Sequence, residues 1–177
     1  LNDIEKAWFM LLSTPNNKFN EASQKALKIY PDSALINWLA TRYNNFEGMK
    51  SFASKFPELS ASAHNALAYE YARQGNYDAA YNAISKSLSI HDGPNAKDSR
   101  AEIAAMEGDY TKAVNSQLQA YDIAPFASPY YQNLVIYARN RNIEGLTNSL
   151  KEAQIAVQDA IEEQNLEEWK KYITDDM

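Results

Sequence analysis

The chain of 177 residues contains no cysteine. That absence excludes a disulfide framework, a thiol nucleophile and a zinc–thiolate site. Histidine is nearly missing: His64 and His91 are the only two, and they lie too far apart in sequence to make a His-rich metal site alone. Glycine is scarce, with five residues where average usage of about 7% predicts about a dozen. Sheets with tight hairpins consume glycine, so the shortage favours helices. Positive charge is in the minority: 17 Lys and Arg stand against 23 Asp and Glu, a formal net charge of −6. A nucleic-acid binder normally shows a basic stripe, so none is expected among the partners. No apolar run approaches the ~18 residues that a membrane span needs.

What is present is ordinary for a globular chain. The hydrophobic content of 45% argues against disorder. At roughly 150 residues per domain, the length predicts one domain or one repeat array. The chain opens on Leu1 without a signal-peptide pattern, which predicts a processed protein or an excised piece of a longer one. The cysteine-free, Asn- and Ser-rich composition leans toward an exported location. A cytoplasmic location goes with a piece of a larger regulator.

An internal repeat organises the middle of the chain. Gly75-Asn76-Tyr77-Asp78-Ala79-Ala80 recurs as Gly108-Asp109-Tyr110-Thr111-Lys112-Ala113, an offset of 33 residues. Ala63, Ala66, Leu67 and Tyr71 precede the first block, and Ala80, Ile84 and Leu88 follow. Both sets step by three and four residues, the period of an amphipathic helix. Glycine supplies a left-handed residue at the end of the first helix. Asn76 or Asp109 then caps the second. The unit is a helix–turn–helix hairpin, used twice. No period-two run with hairpin turn chemistry competes with it.

This pattern resembles the tetratricopeptide repeat (TPR) family. With residue 61 as repeat position one, Leu67, Ala68, Tyr71, Gly75, Tyr77, Ala80 and Ile84 match the family's motif. In the next unit Ala101, Gly108, Tyr110, Ala113, Ala120 and Pro125 match. Ser87 stands where Ala is usual, Asp92 where Pro is usual, Arg100 where Leu is expected and Ala104 where Tyr is expected. The resemblance implies an all-α, right-handed α-solenoid. About five TPR-like helical hairpins and a C-terminal capping helix would fill residues 1–177 as a single domain.

The clearest repeats are 61–93 and 94–127, and degenerate pairs are expected at 1–31, 32–58 and 128–164. In the first pair, a helix from Asn2 to Leu12 buries Ile4, Trp8, Leu11 and Leu12. The stretch from Ser13 to Asn17 forms the turn, and a short second helix begins at Phe19. In the second, Leu35, Trp38, Leu39 and Tyr43 make one stripe and Met49, Phe52, Ala53 and Phe56 another, with a turn at Asn44-Asn45. The fifth starts at Ser128-Pro129, places Leu134, Val135 and Ala138 on its first helix, and opens a second helix near Ile143. Asn165 to Glu168 reads as a capping box, so residues 165–175 are expected to cap the array.

No arrangement points to catalysis. His64 and Glu70 do not share a helix face, and His91-Asp92 falls in an inter-repeat turn. There is no Gly-x-Ser-x-Gly elbow, phosphate-binding glycine loop or dinucleotide fingerprint. The carboxylates Glu21, Asp32, Glu47 and Glu58 sit near helix starts, where they complement the helix dipole. No catalytic residue, cofactor or metal site is expected. The aromatics admit two readings, a peptide- or sugar-stacking surface or repeat core. Tyr71, Tyr77, Tyr110, Trp8 and Trp38 fall on positions of the core type.

The resemblance places any partner in the concave groove lined by the first helix of each hairpin. Its groove positions read Ser62, Asn65, Tyr69, Ala72 and Arg73 in the third pair. They read Asn95, Asp98, Glu102, Ala105 and Met106 in the fourth, and Gln132, Ile136, Arg139 and Asn140 in the fifth. Asn37 and Thr41 belong to the second. The expected contacts are Asn65, Tyr69, Arg73, Asp98, Glu102, Gln132 and Arg139, amides, an aromatic and mixed charges that suit a peptide backbone. The basic residues of the family's chaperone-binding clamp are missing: Asn65, Tyr69, Ser99, Pro129 and Asn133 occupy those places. The expected function is a non-enzymatic protein–protein interaction module. Two alternatives stand beside it. One is an accessory or regulatory domain of a larger enzyme or transcription regulator. The other is a self-associating scaffold that uses Trp8, Phe9, Trp38 and Phe52.

Overall fold

The computed structural model describes residues 2–41, 46–125, 127–140, 151, 152, 154 and 155. All regular structure among them is helical. It runs α1 (Asp3–Ser13), α2 (Asn16–Ile29), α3 (Ala34–Ala40), α4 (Phe46–Lys55), a 3-10 turn (Pro57–Leu59), α5 (Ala61–Arg73), α6 (Tyr77–Ile90), α7 (Pro94–Glu107), α8 (Tyr110–Ile123) and α9 (Ser128–Asn140). Neighbours in sequence pack as hairpins, with α5 on α6 and α7 on α8. The first helix of each hairpin also touches the first helix of a neighbouring one, as α1 does α3 and α5 does α7. The molecule is an all-α solenoid.

The turn chemistry of the two clear repeats follows from their sequence. Gly75 has φ +73° and Gly108 φ +89°, left-handed values that glycine adopts without a Cβ penalty. After each, the next residue donates back into the closing helix: Asn76 N–H to the Tyr71 carbonyl and Asp109 N–H to the Ala104 carbonyl, both at 2.9 Å. The same two residues then cap the following helix. Asn76 Oδ1 accepts from Ala79 N at 3.2 Å, and Asp109 Oδ1 from Lys112 N at 2.9 Å.

The hairpins close on small residues. Ala63, Ala68, Ala80, Ala101, Ala104, Ala113, Ala120 and Ala138 have no exposed surface, so the helix backbones approach closely around them. Ala104, at a position where the family carries Tyr, makes room in this way for Tyr121, which is itself fully buried in the same cluster. Ser87 keeps the small size of the family's Ala. It also adds a bond from its hydroxyl to the Ala61 carbonyl at 2.8 Å.

The N-terminal units depart from the sequence reading. The second helix begins at Asn16 rather than Phe19 and runs 14 residues. Pro15 precedes it in extended conformation (ψ 146°), and the fixed φ of proline suits a helix entry. Ile4 and Leu12 are exposed instead of buried; α1 packs chiefly on α2 and α3. In α3 the buried pair is Ile36 and Leu39, while Leu35 and Trp38 face outward. Ile36 and Leu39 join Leu11, Phe19 and Ala26 in one core cluster, so Leu39 is core as expected, and Ile36 rather than Leu35 or Trp38 packs beside it. Tyr43, the Asn44-Asn45 turn, the second helix of the fifth pair apart from residues 151, 152, 154 and 155, and the capping helix at 165–175 lie outside the described residues.

Candidate partner-binding groove

The first helices of the N-terminal units enclose a hollow of about 910 Å³. One wall is apolar. Trp8 and Leu12 come from α1, Trp38 from α3, and Phe46 from the start of α4. These rings are fixed from behind: Trp38 leans on Phe52 at 5.2 Å between centroids, and Phe46 meets Tyr71 edge-on at 5.3 Å. The floor is polar and comes from α5, whose Asn65, Tyr69 and Arg73 recur along one helix face.

Each floor residue is held differently. Arg73 Nη1 pairs with Glu70 Oε2 at 2.7 Å. Asn65 Oδ1 is buried and has no hydrogen-bond partner among the described residues, a costly state for an acceptor cut off from water. The Tyr69 hydroxyl donates to Glu102 Oε2 on α7. Burial holds the Tyr69 phenol well above its ordinary range, and the bond to Glu102 adds to the effect.

Beyond Tyr69 the polar row continues onto α7. Asp98 stands one turn before Glu102, and its Oδ1 accepts from Gln117 Nε2 at 2.8 Å and from Asn133 Nδ2 at 3.1 Å. Tyr137 on α9 is buried. Its phenol is pushed up first by that burial and then by the fields of Glu102 and Asp98.

The expected contacts therefore fall into two groups. Asn65, Tyr69 and Arg73 share the hollow, and Glu102 and Asp98 adjoin it through Tyr69. Gln132 and Arg139 are exposed on α9 but form no part of its walls. Two further groove assignments are corrected. Ala72 is buried at the α5 core face. The Asn37 amide is spent on the Pro31 and Ser33 carbonyls at 2.7 and 2.8 Å. Thr41 does line the hollow, though it is buried and its hydroxyl turns back to the Trp38 carbonyl at 2.7 Å.

The sequence reading also missed the apolar wall. Trp8 and Trp38 sit at positions of the core type, yet Trp8 is half-buried and Trp38 exposed, and both line the hollow. Tyr71, Tyr77 and Tyr110 are likewise only half-buried. The Tyr77 hydroxyl reaches the Met106 carbonyl of the next repeat at 2.9 Å. The one available signal was the stacking-surface reading of the aromatics. Among the described residues no three His, Cys, Asp or Glu side chains converge as a metal site. No helix among them is long and apolar enough to cross a membrane.

No protein-family model matches the chain, and no curated protein matches it. The crystal structure of the MamA protein is similar at a TM-score of 0.67 and 14% sequence identity, over 88% of this chain and 94% of that one. At that identity the likeness is one of fold. Together with the glycine turns and the small-residue packing of α5 to α8, it makes the architecture a TPR-like helical-repeat solenoid.

Proposed function

We propose that the protein is a non-enzymatic interaction module that binds a peptide segment or partner domain in its concave groove. The observation that carries this reading is the open hollow itself, in which the partly exposed rings of Trp8 and Trp38 stand beside the polar row Asn65, Tyr69 and Arg73. Apolar surface left open beside polar side chains is the kind of surface that a peptide segment covers. Asn65, Tyr69, Arg73, Asp98 and Glu102 are the contacts at and next to the hollow. Gln132 and Arg139 extend the surface for a longer partner.

The test is a selection of displayed random peptides against the whole chain. Selected peptides are expected to lose binding to a variant with Tyr69, Arg73 and Glu102 all changed to Ala. They should keep it on a variant altered at Asn82 and Lys86, which line a separate pocket on α6. Undiminished binding to the triple variant would sink the groove reading.

A second reading, self-association, draws on the α1 and α2 surface. There Phe9 is 50%, Met10 70% and Ile29 68% exposed. Of the aromatics that suggested it, Phe52 is core. Sedimentation that shows a strict monomer at high concentration removes this reading.

A further inference from the structure

Asp98 and Glu102 carry charge that the fold does not use. Every ion pair among the described residues lies elsewhere. The polar partners that these two carboxylates do have are neutral: the Tyr69 hydroxyl for Glu102, and the Gln117 and Asn133 amides for Asp98. Asparagine and glutamine would accept those same bonds. Like charges four residues apart on a helix cost a few tenths of a kcal/mol, so the pair is a small net burden on α7.

The neighbouring floor of the hollow is electrically balanced, because Glu70 is paired with Arg73 at 2.7 Å. The row that runs from the hollow onto α7 is therefore net negative at Glu102 and Asp98. Both are only half-buried and so open to a ligand. Tyr69 joins the two regions. It lines the hollow, and its hydroxyl fixes Glu102.

We propose that the groove takes a peptide segment that is apolar at one end and basic at the other. A large apolar or aromatic side chain fills the space between Trp8 and Trp38, and a lysine or arginine of the same segment meets Glu102 and Asp98. This deepens the groove reading above and rests on it. Charge complementarity selects the occupant. An acidic segment meets two unneutralised carboxylates, a neutral one leaves them unused, and a basic one gains charge-assisted hydrogen bonds. Tyr69 contributes a ring face beside the bound cation.

The experiment uses the full chain and three short synthetic peptides. The first has a phenylalanine–leucine pair followed by two lysines. Its twins carry two glutamines or two glutamates in place of the lysines. Affinities come from calorimetry, and placement from the change in tryptophan emission. The lysine peptide is expected to bind on the order of ten-fold more tightly than the glutamine peptide at low salt, and the glutamate peptide more weakly than either.

Glu102→Gln, which keeps the acceptor for Tyr69, removes most of the lysine advantage and leaves the glutamine peptide unchanged. Trp38→Ala, or Leu12→Ser should the first variant fold poorly, weakens both peptides together. Equal affinity for the lysine and glutamine peptides, with both still sensitive to Trp38 or Leu12, overturns the charge proposal and leaves the groove standing. Absence of binding by all three, or binding indifferent to both wall variants, overturns the groove as well.

Discussion

Gln117 of α8, which has no exposed surface, donates through Nε2 to Asp98 Oδ1 on α7 at 2.8 Å and to the Tyr130 carbonyl on α9 at 3.2 Å. One buried amide thus joins three successive helices, and Asp98 is its anchor. Asp98→Ala leaves that amide with the Tyr130 carbonyl alone and also strands Asn133 Nδ2. The expected cost is about 1–3 kcal/mol of unfolding free energy. Asp98→Asn keeps an acceptor at the same place and is expected to cost under about 1 kcal/mol. Urea unfolding followed by circular dichroism separates the two. Equal losses for Ala and Asn would mean that the charge itself holds the helices together.

The left-handed turns give a sharper expectation, since nothing lies within 4 Å of a Cβ built at Gly75 or Gly108. A side chain there meets no clash, and its whole cost is in the backbone conformation. Gly75→Ala and Gly108→Ala should each lose about 1–2 kcal/mol, and the matching Asn variants less, because asparagine tolerates the left-handed region. Unfolding midpoints read against a surface control such as Lys86→Ala test this. An Ala variant as stable as the parent would contradict the turn geometry.

Stability should fall at alkaline pH. Burial lifts the Tyr121 phenol to about 12, helped by the nearby Tyr131, and burial raises Tyr137 in the same direction. A phenol raised above its unfolded value of about 10 holds its proton longer in the folded state. Its contribution is fully present below about pH 10 and is lost as the pH climbs through about 12. Tyrosinate absorbance and helical ellipticity are expected to change together over that interval. Phenol ionisation complete by pH 10 with the helices intact would show that these rings are not protected.

How much was legible depended on what each signal measures. Residues 61–123 were readable because apolar spacing, small residues and Gly-Asn/Asp-Tyr turns agree there, and α5 to α8 begin and end where those signals put them. The first two units lack the glycine turn. Without it the start of α2 was placed at Phe19, although Pro15 marks the entry, and the stripe of α3 took in Leu35 and Trp38 beside Leu39 but left out Ile36. The groove was read in halves for a related reason. Helical period tells which side of a helix is apolar, but not whether a neighbour covers that side. Asn65, Tyr69 and Arg73 were recognisable as one polar face. Trp8, Leu12 and Trp38 looked like core, but they line the hollow instead.

Ser87 offers a test of a repeat position that departs from the tetratricopeptide pattern. Its hydroxyl donates to the Ala61 carbonyl at 2.8 Å, and its side chain is 3% exposed. The bond ties the last turn of α6 to the first turn of α5, the two ends of a single hairpin. Ser87→Ala restores the family's usual residue without changing the packing volume by more than the hydroxyl, so the loss is that of one hydrogen bond, about 1 kcal/mol net. The Ala61 carbonyl remains available to the helix ladder of α5, which keeps the penalty from reaching that of a stranded buried group. Ser87→Val adds methyl groups at a site that is 3% exposed, and overpacking of that kind costs about 1–3 kcal/mol. Urea unfolding should rank the parent above Ala and Ala above Val. Amide exchange should quicken first at the α5 N-terminus in both variants. An Ala variant more stable than the parent, with exchange at residues 61–65 unchanged, would show that the family's alanine is the better residue here and that the bond contributes nothing.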